Sequence, residues 1–255
     1  MNDPIDVLVT LSRWLGDPQR DLAILGEGNT SIKLGADRIA VKASGAALGA
    51  VERDHFVEVD THRILSVLRR DHITEAELAE HFAACCRTAG TRRPSIEVIL
   101  HALAIDYADA HLVAHTHPVA LNGLLCSDRA DALVAGALFP DQIVVCGQHA
   151  LLVPYADPGL PLARAVRDGL VAHLDRHAAP PKVIYLRNHG ILVLGGTATE
   201  VRQITEMTVK VARILTTVLT VGKPTYLTES QAARIDDRED EHHRRAVLAQ
   251  QALRR

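Results

Sequence analysis

The run Leu112-Val-Ala-His-Thr116, followed by Pro118, constrains the fold of this chain more strongly than any other segment. Its apolar residues predict a buried strand, and Pro118 forces the chain to turn away where that strand ends. Similar short runs with high β propensity alternate along the chain with stretches of helical periodicity. One mixed α/β domain over residues 1–255 is the economical prediction, with a charged helical tail from about residue 228.

The other elements are predicted from periodicity, turn residues and capping residues. Pro94 and Ser95 open a helix in which Ser95 serves as the N-cap, and apolar residues from Ile96 to Tyr107 form a stripe along it. Further strands are predicted over residues 30–34, 38–43, 143–145, 150–153, 183–186 and 191–194, and helices over residues 5–15, 61–69, 75–87, 118–125, 158–174 and 198–221.

His115-Thr-His117 is the motif with the clearest chemical meaning. Strand side chains alternate between faces, so these two imidazoles stand side by side at a sheet edge, suited to one metal ion about 2.0–2.1 Å from each nitrogen. The alternative is two surface histidines in a chain that has 14 of them. Asn188-His-Gly190 adds a third imidazole in a tight turn, where turn chemistry explains Asn188 and Gly190 but not His189. Three histidines leave a coordination position open for substrate, as in catalytic zinc sites.

Glu97 admits three interpretations. Its negative charge in the first turn of the predicted helix is favoured by the helix dipole. It also lies one turn before His101, with which it can pair on the helix surface. The third interpretation is a general acid/base beside the metal, and the residues alone do not choose among the three.

Small polar residues form another group of interest, and they are Gly28-Asn29-Thr-Ser31, Ser44-Gly45 and Ser95. Small residues permit close backbone approach, and hydroxyl, amide and N–H donors suit phosphate oxygens. Lys42 can add a positive charge, although a strand lysine usually points into solvent. No Walker or dinucleotide fingerprint is present, so a nucleotide is not implied.

Charge and composition exclude several classes of protein. The net charge of −3 argues against a nucleic-acid binder, and no run approaches the roughly 18 consecutive apolar residues of a membrane span. The four cysteines show no CxxC spacing, and the N-terminus lacks a basic stretch followed by an apolar run. A cytoplasmic location with free thiols is therefore expected.

In this order, the motifs resemble those of the class II aldolase/adducin family, which includes zinc-dependent sugar-phosphate aldolases, 4-epimerases and decarboxylases. The resemblance covers about residues 5–230 and rests on Gly26-Glu-Gly-Asn-Thr-Ser31, Lys42-Ala-Ser-Gly45, Pro94-Ser-Ile-Glu97, His115-Thr-His-Pro118 and Arg187-Asn-His-Gly190. The segment from Val153 to Gly159 is similar to the rhamnulose-phosphate aldolase-like domain that is elsewhere fused to a short-chain dehydrogenase. The family implies a three-layer α/β/α sandwich around a central, mostly antiparallel sheet, assembled as a homotetramer with active sites at subunit boundaries.

The resemblance also implies a role for each candidate residue. The metal ligands are His115, His117 and His189; the acid/base carboxylate is Glu97; the phosphate pocket is Asn29, Ser44, Gly45 and Ser95.

Three positions bear on the branch of the family. Glu97, where 4-epimerases usually carry Asp, favours the aldolase branch. Ile96 replaces a serine of several members and removes one phosphate hydroxyl. No tyrosine follows His115 where fuculose-type members supply an acid from the neighbouring subunit, so Tyr155 and Tyr226 are the alternatives for that role.

The implied activity is reversible aldol cleavage of a short ketose phosphate, in which Zn²⁺ stabilises an enediolate and Glu97 transfers the proton. A decarboxylase, 4-epimerase or dehydratase with the same metal site is the nearest alternative. A non-catalytic adducin-like interaction module is another, although an inert scaffold has no physical need of three convergent imidazoles.

Overall fold

The structure, a computed structural model, describes residues 3–88 and 92–238. Its strands are β1 (Asn29–Lys33), β2 (Arg38–Lys42), β3 (Phe56–Asp60), β4 (Leu112–Thr116), β5 (Leu151–Val153), β6 (Val183–Leu186) and β7 (Gly190–Gly195). Together they form one sheet in the order β3-β2-β1-β4-β7-β6-β5. Neighbouring strands are antiparallel except β5 and β6, which are parallel, so the expected mostly antiparallel sheet is confirmed.

Helices flank the sheet on both sides. They are α1 (Pro4–Leu15), α2 (Thr61–Ser66), α3 (Glu75–Ala84), α4 (Val98–Ala108), α5 (Val119–Leu125), α6 (Pro140–Cys146), α7 (Leu160–His177), α8 (Ala198–Val221) and α9 (Glu229–Asp236). Helix α9 begins where the charged tail is predicted, and residues 239–255 of that tail lie outside the described residues. No helix of the described segments is both long and apolar enough to cross a bilayer.

Two hydrophobic cores, one on each face of the sheet, produce the three layers. Alternate strand residues point to opposite faces, so Ile184 of β6 joins one core while its neighbour Tyr185 joins the other. Helices α2, α3, α4 and α7 cover the first core, and α1, α5, α6 and α8 contribute to the second. The predicted α/β/α sandwich is therefore confirmed.

Strand β4 lies at the centre of the sheet, between β1 and β7. Asn29, the first residue of β1, pairs with His115, and Thr116, the last residue of β4, pairs with Ile191. The histidines lie at the end of a buried strand, as predicted, but β4 has hydrogen-bonded neighbours on both sides and is not an edge strand. The register instead brings the start of β1, the end of β4 and the start of β7 together.

The strand predicted over residues 143–145 is wrong, because these residues lie in α6. Pro140 is favourable in the first helical turn, where its missing N–H is not required, and the charge of Asp141 is favoured there by the helix dipole. Ile143 and Val144 are buried, and the Cys146 thiol contacts the backbone of α8. Tertiary packing therefore overrides the β propensity of these residues.

Strand β3 was not predicted from the sequence. Its residues alternate between buried and half-buried positions, with Val57 and Val59 in the core. This is the period-2 pattern of a strand with one covered face. The strand pairs with β2 at the outer side of the sheet.

The start of α4 also differs from the prediction. Glu97, not Ser95, occupies the N-cap position, and it makes no side-chain capping bond. The Ser95 hydroxyl accepts a hydrogen bond from the Glu97 N–H at 3.3 Å. The residues of the predicted apolar stripe lie in the first core or pack against it, but the other faces of the helix are buried as well from Val98 to Ile105. Helix α4 contacts α2 and α7 as well as the sheet, which leaves no solvated face along this stretch.

His173 predicts a pH-dependent stability. It is buried in α7, and its ring lies 4.6 Å from that of His177, which stacks on His149 at 3.9 Å. Burial, reinforced by His177 and His149, lowers the pKa of His173 from 6.5 to about 4. The unfolded chain takes up a proton below pH 6.5 while the folded protein resists it, so stability falls as the pH decreases through this window.

We expect this histidine to account for a loss on the order of 1 kcal/mol in unfolding free energy at pH 5 relative to pH 7.5, after allowance for solvent screening of its ring. Denaturant unfolding of the unmodified protein and of His173→Gln at both pH values measures the difference. An identical pH dependence of the two proteins would contradict the prediction.

Candidate metal centre

His115 and His117 extend from the end of β4 into the turn that follows it. Nδ1 of His115 lies 2.9 Å from the carbonyl oxygen of Ile191, so Nδ1 carries a hydrogen and donates to it. The N–H of His117 donates to the carbonyl of Leu22 at 2.8 Å, which ties this turn to the loop before β1. The two Nε2 atoms are 2.9 Å apart, so the rings face a common point.

His189 reaches the same point from the turn between β6 and β7. Asn188 has a φ of 56°, in the left-handed region that Asn tolerates, and the amide of Asn122 donates to the carbonyl of His189 at 3.0 Å. The centroid of the His189 ring lies 5.0 Å from that of His115 and 5.1 Å from that of His117. Three imidazoles that are far apart in the sequence therefore meet.

Glu97 completes the cluster from the N-terminus of α4. Its Oε1 lies 3.2 Å from Nε2 of His115 and 3.1 Å from Nε2 of His189. Its Oε2 accepts a hydrogen bond of 2.7 Å from the side-chain amide of Asn29. Of the three interpretations of Glu97, the structure supports the one that places it beside the histidines, since His101 bonds to other residues.

The donor set of this cluster fits a divalent transition metal. One ligand atom from each of Glu97, His115, His117 and His189 lies within 4.8 Å of all the others. A tetrahedral ion with bonds of about 2.0–2.1 Å separates its ligand atoms by about 3.3 Å, close to the distances above. Because Nδ1 of His115 donates to Ile191, its Nε2 presents a lone pair to the centre. Imidazole and carboxylate donors suit zinc and several neighbouring metals.

The electrostatics of the cluster favour a bound cation. Burial raises the pKa of Glu97, but the charge of His115 and hydrogen bonds from His115, His189 and Asn29 outweigh it, so the pKa lies well below its usual range. Burial, assisted by the nearby charges of His115 and His189, lowers the pKa of His117 to about 4. Burial also lowers the pKa of His115, but Glu97 overrides it and the net shift is upward. A metal at the centre therefore competes with a proton for His115 and meets an ionised carboxylate.

Two residues of the predicted phosphate pocket, Asn29 and Ser95, hydrogen-bond to Glu97. The amide of Asn29 lies 3.4 Å from the Ser95 hydroxyl, which itself lies two residues before Glu97. Ser44 and Gly45 are exposed in a neighbouring loop, where the Ser44 N–H donates to the carbonyl of Arg93 at 2.9 Å. Gly45 has a φ of 84°, a left-handed conformation that side chains disfavour.

Lys42 and Ile96 both turn towards the interior. Lys42 is 2% exposed, contrary to the usual solvent-facing strand lysine. Its ammonium donates to the carbonyl of Ala43 at 3.4 Å and to that of Ala46, on either side of Ser44–Gly45. Burial lowers its pKa although Glu97 opposes the shift. Ile96 packs against the hydrophobic core.

Neither alternative tyrosine bonds to the cluster within the described chain. The hydroxyl of Tyr155 donates to Asp157 at 3.0 Å, and that of Tyr226 donates to the carbonyl of Ala132 at 2.9 Å.

Sequence reasoning missed two residues that contact the histidines and misplaced a third. Glu27 lies 3.6 Å from Nδ1 of His117, and Asn122 holds the backbone of His189. His101 was considered only as a partner of Glu97, but it bonds to Asn29 and Ser31. The Gly26–Ser31 motif contains both Glu27 and Asn29, so this motif was the sequence signal that could have identified Glu27.

Substitution of Gly190 provides a steric test of the metal centre. A Cβ at this position would lie 2.5 Å from the carbonyl oxygen of Thr116 and 2.7 Å from Cδ2 of His117. Gly190→Ala should therefore displace the His117 ring, lower the unfolding free energy by about 1–3 kcal/mol and weaken zinc binding. Gly123→Ala is the matched control, because nothing lies within 4 Å of its Cβ. Equal zinc affinity in the two variants, measured by competition with a chelator, would contradict the prediction.

Fold and site together define a three-layer α/β/α protein with a His/Glu metal-type centre at the end of its central strand. The chain belongs to the Class II Aldolase and Adducin N-terminal domain family, whose profile matches residues 6–216. The resemblance inferred from the five motifs is thereby confirmed.

Three relatives illustrate the range of the family. The chain is 26% identical over 202 residues to the uncharacterized oxidoreductase YuxG of Bacillus subtilis, a match that covers 76% of this chain but only 27% of that protein. It is 26% identical over 223 residues to the 3-oxo-tetronate 4-phosphate decarboxylase of Haemophilus influenzae, covering 86% of this chain and 90% of that one. The N-terminal class II aldolase domain of a Thermoplasma acidophilum protein superposes with a TM-score of 0.66 at 26% identity, covering 85% of this chain and 95% of that one.

Proposed function

We propose that this protein is a metal-dependent carbon–carbon lyase that cleaves a short ketose phosphate by a reversible aldol reaction. The observation that carries the proposal is the convergence of His115, His117, His189 and Glu97 within 4.8 Å at one end of the central strand. Membership of the class II aldolase and adducin family supports a reaction of this type.

The three histidines are the residues that would hold the ion, and Glu97 is the residue that would move the proton. A divalent ion bound there supplies a Lewis acid for the negative charge that develops on the substrate's oxygens. Glu97 is an ionised carboxylate beside the histidines, so it can accept a proton in one direction and return it in the other. Asn29 fixes one carboxylate oxygen at 2.7 Å, which leaves the other directed at the histidines.

The substrate phosphate is assigned to the side of the site that carries Ser44, Gly45 and Ser95. The exposed Ser44 hydroxyl and the exposed Gly45 backbone suit phosphate oxygens. The buried ammonium of Lys42 donates to the carbonyls on both sides of Ser44 and Gly45, so it fixes the backbone of this loop. It also contributes positive charge beneath the loop. Phosphate binding there would orient the reacting carbons for cleavage.

Decarboxylation of a phosphorylated 3-oxo acid is the second candidate, and two observations favour it. A decarboxylase is related to this chain over 90% of its own length. Glu97 is also the one carboxylate that contacts two of the histidines in the described chain, and a single carboxylate meets the needs of a decarboxylase. Loss of CO₂ needs one proton delivered to carbon, whereas aldol cleavage needs one removed and one delivered.

Product analysis separates the two candidates. The zinc-loaded protein is incubated with a panel of ketose 1-phosphates and of 3-oxo-acid phosphates, and the products are followed by NMR. Dihydroxyacetone phosphate with an aldehyde supports the aldolase, and CO₂ with a phosphorylated ketone supports the decarboxylase. Turnover of neither panel by the metal-loaded protein would reject both.

Zinc as the native metal, a homotetramer and a cytoplasmic location remain proposals that rest on family resemblance. None of the described cysteines is in a disulfide bond, which accords with the proposed reducing compartment. Elemental analysis and light scattering test the metal and the assembly directly.

A further inference from the structure

A buried hydrogen-bonded network lies behind Glu97, and its members are Ser31, His101 and Asn29. The Ser31 hydroxyl lies 2.7 Å from Nδ1 of His101. Nε2 of His101 bonds to the side-chain carbonyl of Asn29, whose amide nitrogen reaches Glu97. Ser31 and His101 are 0% exposed and Asn29 is 3% exposed, so no solvent competes for these bonds.

The charge of Glu97 fixes the direction of every bond in this network. An ionised carboxylate only accepts, so the Asn29 atom at 2.7 Å is the NH₂ group and the Asn29 carbonyl faces His101. Nε2 of His101 must then carry the hydrogen. Burial, assisted by His115, lowers the pKa of His101 to about 3. A neutral ring has a single N–H, so Nδ1 accepts and the Ser31 hydroxyl donates.

We propose that His101 is a positioning residue for Glu97, acting through Asn29 and held in its Nε2–H tautomer by Ser31. Rotation of the Asn29 amide by half a turn would place its carbonyl against the Glu97 carboxylate and is opposed by the N–H of His101. Glu97 is thereby held with one oxygen bound and the other directed at His115 and His189. This role rests on the proposed function of Glu97 and deepens it.

The network also assigns the side chain of Asn29. Its carbonyl is occupied by His101, and its NH₂ group lies 2.7 Å from Glu97 and 3.4 Å from Ser95. The side chain therefore serves the carboxylate, and any contact of residue 29 with a substrate phosphate is secondary to that role.

The tautomer of His101 is the first test, and it needs no substrate. Protein labelled with ¹⁵N-histidine is studied by long-range ¹H–¹⁵N NMR at pH 7, and the His101 signals are assigned by their loss in His101→Phe. We expect a neutral Nε2–H ring with strong preference for that tautomer. Ser31→Ala, a small change that should leave the fold intact, should weaken the preference. A cationic ring or an Nδ1–H tautomer in the unmodified protein would overturn the proposal.

Cobalt substitution is the second test, and it distinguishes positioning of Glu97 from a general structural role. The visible d–d spectrum of bound Co²⁺ reports the geometry of its ligands. We expect His101→Phe to bind one Co²⁺ per chain with a spectrum altered in the same sense as that of Glu97→Gln. The buried-histidine control His173→Gln should match the unmodified protein, and His101→Gln, which restores an N–H donor, should lie between the two.

Kinetics complete the comparison once the panel above identifies a substrate. His101→Phe should lower kcat at least tenfold with little change in KM, with partial recovery in His101→Gln. An unchanged cobalt spectrum and unchanged kcat in folded His101→Phe would refute the positioning role while leaving the proposed lyase intact. Absence of turnover by the unmodified protein, with the expected tautomer and spectra, would reject the lyase and leave the network standing.

Discussion

Glu97→Gln should retain its metal on the three histidines and lose turnover by about 100-fold or more. Glutamine has nearly the volume of glutamate, and His115, His117 and His189 are untouched, so three donors remain for the ion. The amide cannot accept a proton, however, and removal of a general acid/base typically costs between about 10² and 10⁴ in rate. Elemental analysis for the metal and steady-state kinetics on the substrate found by the panel provide the two measurements.

Glu58→Gln is the matched control for this variant. Glu58 lies in β3 and pairs at 3.3 Å with Arg38, and both side chains are 42% exposed. Neither residue contacts the histidine cluster, so this control should retain its activity. Nearly full activity in a metal-loaded Glu97→Gln protein would remove Glu97 from the chemistry.

The layers of the fold were predictable because local patterns and tertiary packing agree in most elements. The residues from Leu112 to Ala114 are continuously apolar because β4 is covered on both faces, as its central position requires. The residues 143–145 show the opposite case. These residues have the same local β propensity as β4, but Pro140 and packing against α8 make the segment helical. Neither effect can be seen in a sequence window of three residues.

The residues of the metal-type centre were predictable from the sequence, but their arrangement in space was not. The sequence contains His115, His117 and His189 in strand-end and turn contexts that suit a metal ligand. Their convergence depends on the register between β4 and β7, where Thr116 pairs with Ile191, and register over such a sequence separation leaves no local signature.

The partners of Glu97 were the least predictable part of the site. A glutamate at the start of a helix is explained equally well by the helix dipole or by a pair with His101 one turn away. The structure separates these because the carboxylate turns towards the histidines while His101 faces Asn29. The pairing of β1 with β4 determines this arrangement, because it places Asn29 opposite His115. From there Asn29 bonds to both Glu97 and His101.

His189→Ala is expected to abolish metal binding at the centre without unfolding the protein. Its side chain lies at the turn between β6 and β7 and is 15% exposed, so truncation leaves a smaller void than loss of the fully buried His115 would. Substitution of a residue that hydrogen-bonds to a metal ligand typically lowers the metal affinity by about 10–100-fold. Loss of a ligand itself should therefore weaken zinc binding by more than about 100-fold.

Thermal unfolding with and without zinc measures this loss independently of any substrate. Zinc at about 100 times its Kd should stabilise the unmodified protein by about 2.7 kcal/mol, which raises Tm by several degrees in a protein of this size. His189→Ala should show almost none of this shift, whereas His149→Ala, which removes a stacked ring outside the cluster, should show all of it. An equal zinc-dependent shift in His189→Ala would place the ion elsewhere. The absence of any shift in the unmodified protein would favour the adducin-like scaffold over the enzyme, because a Lewis-acid reaction at this centre requires the three imidazoles to hold a cation.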